Sequence, residues 1–180
     1  MREYTFQEYL QFDESGICKN EYYQGEILAM PGGTIRHNAL AMQLVLAFGN
    51  CTISESCTIL SSDTRLYIPI AKISSYPDLM LLCEKVEYYQ NRKDIILNPS
   101  LIVEVLSPST EKYDRQVKLP AYLSIPSVKF VLLVDAQKPH IEVYSKNKHW
   151  EQHLYTEGTL PLMDCLLNID KIYQNIKHLD

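Results

Sequence analysis

The sequence predicts an α/β (α+β) protein of a single domain, in which helices flank a mixed β-sheet. Its 180 residues suit one hydrophobic core. A helix, several strands, a second helix and a further strand follow one another along the chain, an order that is typical of a mixed sheet. The strand at 101–106, the helix after it and the strand at 129–135 would form a right-handed βαβ crossover.

Each predicted element has a local signal. An amphipathic pattern at 4–12 predicts a short first helix, and Gln24–Gly25 is a turn signal between two strands. Thr34 can cap a second helix that runs to about Gly49. Apolar or alternating runs predict the central strands, at 63–70, 76–82, 101–106 and 129–135. The core is expected to span about 20–145, with a C-terminal hairpin and short helix within 140–178.

Composition and cysteine count restrict the cellular setting and the partners. The net charge of −5 argues against indiscriminate coating of nucleic acid, although it leaves room for a locally positive groove. No apolar run approaches the ~20 residues that span a bilayer, and the N-terminus lacks the apolar stretch of a secretory signal. The five cysteines are odd in number and form no C-x-x-C pair, which favours reduced thiols over a disulfide framework or a zinc site. We therefore predict a cytoplasmic protein without membrane association.

A carboxylate interrupts the apolar strand LIVEVL, where Glu104 shares a strand face with Ile102 and Leu106. An isolated buried carboxylate is costly and needs a partner, a proton or a metal ion. Asp78 begins another apolar strand, so the two carboxylates would converge if the strands were neighbours in register. Mg²⁺ favours such a pair, because it binds one or two carboxylates and keeps several waters. The alternative for each residue is a strand-end or salt-bridged carboxylate.

The helix that follows this strand provides a further charged group. Asp114, Lys118 and Tyr122 are spaced by four residues and would share one helix face. Glu104 lies roughly 10 Å before the strand end, and Lys118 lies roughly 14 Å into a helix that doubles back along the sheet. Lys118 can therefore reach the height of Glu104. The alternative is an Asp114–Lys118 ion pair on the surface, which would contribute only roughly a few tenths of a kcal/mol.

Three motifs together resemble those of the PD-(D/E)xK nuclease superfamily: PD at 77–78, VEVLSPST at 103–110 and D-x-x-x-K-x-x-x-Y at 114–122. Within that superfamily, the chain resembles the Uma-type restriction endonuclease family, long catalogued as a domain of unknown function. The likeness covers nearly the whole chain, including the stretches GEILAMPGGTIRHNAL, SSDTRLYI and IPSVKFVLLVDAQKPHIEVY. It implies a restriction-endonuclease-like fold and a metal-dependent endonuclease that hydrolyses phosphodiester bonds, most readily in DNA.

The resemblance also implies roles for individual residues. Asp78 and Glu104 would bind Mg²⁺, or Mn²⁺ as a substitute, together with the backbone carbonyl of Val105. Lys118 would complete the catalytic set with the same two carboxylates. Weaker supporting candidates are Glu26, His37, Asp63 and Asp114, and candidates for contacts with nucleic-acid phosphates are Lys112 and Arg115.

The position of the lysine departs from the superfamily pattern. The usual lysine position, two residues after the glutamate, holds Leu106, so the resemblance implies that the lysine has moved to the following helix at Lys118. Pro120 then sits inside that helix, where it removes a hydrogen-bond donor and can re-aim the lysine.

Two other classes of function fit the same sequence. Leu106 and Pro120 suit a catalytically silent nucleic-acid-binding or regulatory module that has kept the fold. The net charge of −5 suits a protein-interaction scaffold, and salt-sensitive DNA binding would distinguish the two because a scaffold should show none. The partners implied by the resemblance are DNA and a second copy of the chain in a homodimer, since two sites are needed to cut both strands.

Overall fold

The computed structural model describes residues 2–16, 18–51 and 57–179. Within those ranges no helix is long and apolar enough to cross a membrane. The helical elements are α1 Phe6–Ser15, α2 Ile35–Gly49, α3 Glu111–Tyr113, a π-helical turn Asp114–Lys118, α4 Leu119–Leu123, α5 Ile169–Gln174 and 3₁₀ turns at Tyr89–Asn91, Lys146–Lys148 and Lys177–Leu179. The strands are β1 Asn20–Tyr23, β2 Glu26–Ala29, β3 Thr58–Ser61, β4 Arg65–Ile68, β5 Ile73–Ser75, β6 Leu79–Leu82, β7 Ile95–Ile96, β8 Leu101–Leu106, β9 Phe130–Asp135, β10 Ile141–Ser145, β11 Gln152–Tyr155, β12 Thr159–Leu162 and β13 Cys165–Asn168.

The strands of the described residues form two main sheets and a separate hairpin. The six-stranded sheet has the order β11-β10-β9-β8-β6-β3, and the five-stranded sheet has the order β2-β1-β5-β4-β7. The hairpin consists of β12 and β13. In the larger sheet β8 and β9 are parallel, with the helical segment between them, whereas the other pairs are antiparallel. The predicted mixed sheet and its parallel crossover are thereby confirmed.

Both faces of the six-stranded sheet are covered by other elements. Successive side chains of β6 and β8 point to opposite faces, so each strand contributes to both contacts. One face, which includes Leu79 and Val103, packs against α2 and the C-terminal elements. The opposite face, which includes Met80 and Ile102, packs against α4 and the five-stranded sheet. Glu104 belongs to this second face, so its carboxylate lies between the sheet and the helix that follows.

Local chemistry sets two predicted boundaries that shape the site. Gln24 and Gly25 adopt positive φ values of 48° and 100° in the turn between β1 and β2, the left-handed conformation that a tight hairpin turn requires. The Thr34 side chain accepts a hydrogen bond from the backbone N–H of His37 and so caps α2. Both predicted features are confirmed, and they position the hairpin and the start of α2.

The helical segment after β8 contains a wide turn where the sequence predicts a kink. A π-helical turn spans Asp114–Lys118 and ends two residues before Pro120. Proline cannot donate the helical hydrogen bond, and its ring crowds the preceding turn, so a wider turn at this point accommodates it. π-Helical turns are frequent at functional sites, and this one carries both Asp114 and Lys118.

The expectation of reduced thiols is wrong for four of the five cysteines. Cys51 is disulfide-bonded to Cys165, and Cys57 is disulfide-bonded to Cys83, whereas Cys18 is exposed and free. The partners are 114 and 26 residues apart in sequence, so only the folded chain brings them together. The second pair continues the antiparallel register of β3 and β6 by one position.

A buried ion pair joins α1 to β4, and it makes stability dependent on pH. Asp13 lies 2.5 Å from Arg65. Burial tends to raise the pKa of the Asp13 carboxyl, but hydrogen bonds from Tyr76, Asn20 and Arg65 outweigh it and lower the pKa below its ordinary value.

We expect Asp13→Asn to lower the free energy of unfolding by about 3 kcal/mol at neutral pH. A carboxylate with a lowered folded pKa stabilises the fold above its unfolded pKa, and that stabilisation is lost as the pH falls through the folded pKa. Urea unfolding should therefore show the wild type and Asp13→Asn converging as the pH falls below about 4, and a difference that stays constant as the pH falls would contradict this account.

Candidate active site

The two predicted carboxylates lie on neighbouring strands. β6 pairs with β8 so that Leu79 faces Val103, and the next position in the same register places Asp78 opposite Glu104. The backbone N–H of Val105 donates to Asp78 Oδ2 at 2.8 Å. Both carboxylates line one cavity of about 510 Å³, which opens between the two sheets and the start of α2.

Glu104 is buried, with 3% of its surface exposed. The Tyr122 hydroxyl donates to Glu104 Oε1 at 2.5 Å, and the Ser75 hydroxyl contacts that of Tyr122 at 3.0 Å. Burial raises the pKa of Glu104 to about 8, although the nearby Lys118 ammonium acts in the opposite direction. The strand therefore holds a carboxyl group whose charged form depends on cations around it.

Lys118 lies among three carboxylates. Its Nζ atom is 3.0 Å from Glu21 Oε1, 3.2 Å from Asp114 Oδ1 and 3.4 Å from Glu104 Oε1. Burial tends to lower the pKa of Lys118, but these carboxylates raise it well above its ordinary value. The alternative of a surface Asp114–Lys118 pair is wrong, because both side chains are buried under the β1–β2 hairpin. Lys118 is consequently a protonated ammonium at this site.

His37, on the first turn of α2, contacts the second carboxylate. Its Nε2 atom lies 3.3 Å from Asp78 Oδ2, and its Nδ1 atom lies 3.4 Å from Asn38 Oδ1. The hydrogen bond to Asp78 raises the pKa of His37 above its ordinary value, although burial opposes this. At Gly33 the backbone passes close to the side chains of His37 and Asn38. A Cβ atom added there would lie 2.8 Å from Asn38 Oδ1 and 3.0 Å from His37 Nδ1. This close approach explains why a glycine precedes the helix cap.

The structure separates the other predicted residues from the carboxylate pair to different degrees. Glu26 is exposed on β2 and does not line the cavity. Asp63 is exposed and pairs with Lys19, which lies at the cavity wall. Lys112 is exposed on α3. The Arg115 guanidinium is held by carboxylates, at 2.6 Å from Glu142 and 2.8 Å from Glu111. Contacts of Lys112 and Arg115 with phosphates stay predictions.

The sequence analysis missed Glu21. This residue lies on β1, only 5% of it is exposed, and it is the nearest carboxylate to Lys118. The available signal was a carboxylate beside Tyr22 and Tyr23 in a strand that the hairpin pattern already defined. That pattern indicated an alternating strand, but it did not show which face would be covered by the helix carrying Lys118.

The donor set fits a hard divalent cation. Among the described residues, the second oxygen of Asp78 and that of Glu104 accept no hydrogen bond from the protein. Both residues line the same cavity. No group of three or more His, Cys, Asp or Glu side chains in the described ranges is arranged to hold a metal ion. A site with only two carboxylates suits Mg²⁺, because this ion binds one or two carboxylates and keeps several waters.

Most of the chain matches a known family. Residues 6–170 match the model of the Uma2 family, described as "Putative restriction endonuclease". The chain is also similar to two proteins of Synechocystis sp. (strain ATCC 27184 / PCC 6803 / Kazusa). Uncharacterized protein slr1290 is 36% identical over 141 residues, which cover 78% of this chain and 73% of that protein. Uncharacterized protein sll1609 is 34% identical over 148 residues, which cover 81% of this chain and 84% of that protein.

The fold matches a solved structure as well. It is similar to the crystal structure of a "putative nuclease belonging to DUF820" from Anabaena variabilis ATCC 29413, with a TM-score of 0.73 over 89% of this chain and 93% of that chain. At 17% sequence identity, this likeness shows the fold alone. The predicted fold class, a mixed sheet flanked by helices as in restriction endonucleases, is thereby confirmed.

Proposed function

The chain belongs to the Uma2 family, and from that membership we propose that its cavity hydrolyses phosphodiester bonds in DNA with Mg²⁺ bound at Asp78 and Glu104. One observation carries the proposal above all. Two carboxylates from adjacent strands face one cavity, and a buried ammonium lies 3.4 Å from one of them. The crossover helix, rather than the strand, supplies that ammonium, which fits Leu106 at the position where the superfamily usually has its lysine.

The residues of the site divide the chemistry of hydrolysis among them. Asp78, Glu104 and the carbonyl of Val105 would hold the metal ion, which when bound lowers the pKa of a water molecule and polarises the phosphate. Lys118 is protonated and positioned to neutralise the charge that grows on the phosphate oxygens in the transition state. The Tyr122 hydroxyl fixes one oxygen of Glu104 and leaves the other to face the cavity.

Several parts of the proposal follow from the family resemblance and stay predictions: Mg²⁺ as the native ion, DNA as the substrate and a homodimer as the assembly. The cytoplasm as the location also stays a prediction; it rested on the N-terminus and on the cysteine count, and the two disulfides remove the cysteine argument for it. The open edge strand β11 of the six-stranded sheet, with Leu154 52% exposed, supports pairing with a second copy.

The decisive experiment measures nicking of supercoiled plasmid by the purified chain with Mg²⁺ or Mn²⁺. We expect nicking that requires the metal ion and that falls at least about a hundredfold in Asp78→Ala, because one of the two metal-binding carboxylates is removed. Lys93→Met, which changes an exposed residue outside the cavity lining, should cleave as the wild type does. A folded wild type that binds Mn²⁺ and DNA without cleaving it would favour the silent binding module. Equal nicking by Asp78→Ala would reject the site.

A further inference from the structure

Glu21 is a buried carboxylate that the proposed reaction does not use. Glu21 lies on β1 of the five-stranded sheet, whereas Glu104 lies on β8 of the six-stranded sheet. Its Oε1 atom is 3.0 Å from Lys118 Nζ, the shortest of the three ion pairs of that lysine. The same Oε1 atom lies 3.4 Å from the backbone N–H of Tyr76, two residues before Asp78.

These contacts give Glu21 a place between two parts of the site. An ammonium group carries three N–H donors, and Glu21, Asp114 and Glu104 each lie within 3.4 Å of it. Asp114 belongs to the same π-helical turn as Lys118, so it restrains the lysine only from its own element. Glu21 is the carboxylate that ties the lysine to the opposite sheet and to the chain segment leading to Asp78.

We propose that Glu21 is a positioning residue, which holds the Lys118 ammonium in place for catalysis without itself binding the metal ion. The inference rests on the proposed function, since it assigns Lys118 its working position in that reaction. Side-chain burial supports it: Glu21 is 7% exposed and Lys118 8% exposed, so neither can exchange its partner for water without opening the hairpin. Lysine carries its ammonium group on a flexible four-carbon stem. Removal of Glu21 would therefore free the Lys118 ammonium to move toward Asp114.

The rival role for Glu21 is that of a third metal ligand. The described residues contain no group of three carboxylate, histidine or cysteine side chains arranged around one metal position. Moreover, Glu21 Oε1 already contacts the Lys118 ammonium and the Tyr76 amide. The two roles make opposite predictions for metal affinity, which can be measured without any turnover.

The test compares Glu21→Gln with the wild type in kinetics and in Mn²⁺ binding. We expect kcat to fall about 10- to 100-fold, because displacement of a catalytic group by about 1 Å has effects of this size. KM should stay within about twofold of the wild-type value. The Mn²⁺ dissociation constant, which calorimetry measures, should also stay within about twofold of that of the wild type. Glu21→Asp, which keeps the charge but shortens the side chain, should have an intermediate kcat. An Mn²⁺ affinity that falls as much as in Asp78→Asn would make Glu21 a ligand and overturn the proposal.

Non-additivity separates positioning from general damage to the fold. If Glu21 acts through Lys118, the double variant Glu21→Gln with Lys118→Met should cleave no more slowly than Lys118→Met alone. Multiplied effects would mean that Glu21 acts independently of the lysine, and the proposal would fail. Glu157→Gln makes the same chemical change at an exposed position and should match the wild type in both assays.

A direct readout keeps this inference separate from the proposed function. In protein labelled with ¹⁵N-lysine, the Nζ signal of Lys118, assigned with Lys118→Met, should shift or vanish in Glu21→Gln and stay unchanged in Glu157→Gln. An unchanged signal in Glu21→Gln would overturn the inference even in an active enzyme. A wild type that binds Mn²⁺ yet cleaves nothing would overturn the proposed function, whereas a shifted signal at unchanged Mn²⁺ affinity would still show that Glu21 holds the lysine.

Discussion

Glu104→Gln is expected to abolish phosphodiester cleavage and, at the same time, to make the folded protein more stable. Glutamine keeps the shape of the protonated acid, but it cannot supply an anionic ligand to a cation. We expect the cleavage rate to fall at least about a thousandfold, which corresponds to the several kcal/mol that a bound metal ion contributes to transition-state stabilisation. The gain in stability arises because the substitution removes a carboxylate that the fold has taken out of water.

The sign of the stability change follows from the raised pKa of Glu104. Burial raises that pKa from 4.5 to about 8, so between these pH values the native state binds more protons at this position than the unfolded chain. The wild type therefore loses stability as the pH rises from about 4.5 to about 8. Glu104→Gln has no proton to lose there, and its stability advantage should grow across the same interval.

Glu142→Gln provides a matched control with the opposite sign. Glu142 is also a buried strand carboxylate, but it accepts two hydrogen bonds from Arg115, at 2.6 and 2.8 Å. Burial tends to raise the pKa of Glu142, yet the hydrogen bonds from Arg115 and Tyr144 lower it below its ordinary value. Its substitution should destabilise the fold at neutral pH and become harmless in acid. Urea unfolding of both variants at pH 5, 6, 7 and 8 checks the Glu104 prediction, and further points below about pH 4 check that the Glu142→Gln deficit shrinks in acid. A Glu104→Gln variant less stable than the wild type at pH 8 would refute the account of the buried charge.

Features that depend on neighbouring residues in sequence could be predicted. The strand at Leu101–Leu106 has the predicted bounds, since six residues of apolar pattern end at Ser107 and Pro108. The hairpin turn and the cap at Thr34 were likewise predictable, because both depend on side chains within three residues. The parallel pairing of β8 with β9 followed from the crossover rule for a strand, a helix and a strand.

Features that depend on distant partners could not be predicted. β5, at Ile73–Ser75, is too short and too polar to give a strand pattern, and it is ordered by pairing with β1 and β4. Strand alternation placed Glu104 on a defined face, but it did not reveal that Glu21 would approach from another sheet. The burial of Asp114 and Lys118 depends on that approach, which is why the helix pattern by itself favoured an exposed ion pair.

Lys118→Met is expected to cause the largest loss of stability of any single change in the site. Lys118 lies within 3.4 Å of Glu21, Asp114 and Glu104, and all four side chains are at most 8% exposed. Removal of the one cation among them leaves buried carboxylates without compensation, and breaking a buried ion pair in this way costs roughly 3–5 kcal/mol. Methionine fills much of the lysine stem's volume, so the loss of charge rather than a cavity is responsible.

The pH dependence and a second-site change identify that charge as the cause. Burial raises the pKa of Glu104, and the Lys118 ammonium opposes that rise. Without Lys118 the native state therefore holds the Glu104 proton more tightly, so the deficit in unfolding free energy should be larger at pH 8 than at pH 5. Adding Glu21→Gln to Lys118→Met removes one uncompensated charge and should restore about 1–2 kcal/mol. Lys112→Met, at an exposed position of the same helical segment, should stay within about 0.5 kcal/mol of the wild type. A Lys118→Met variant that is as stable as the wild type at pH 8 would contradict this account. It would mean that the Lys118 ammonium does not compensate the buried carboxylates and is not held in a fixed position among them.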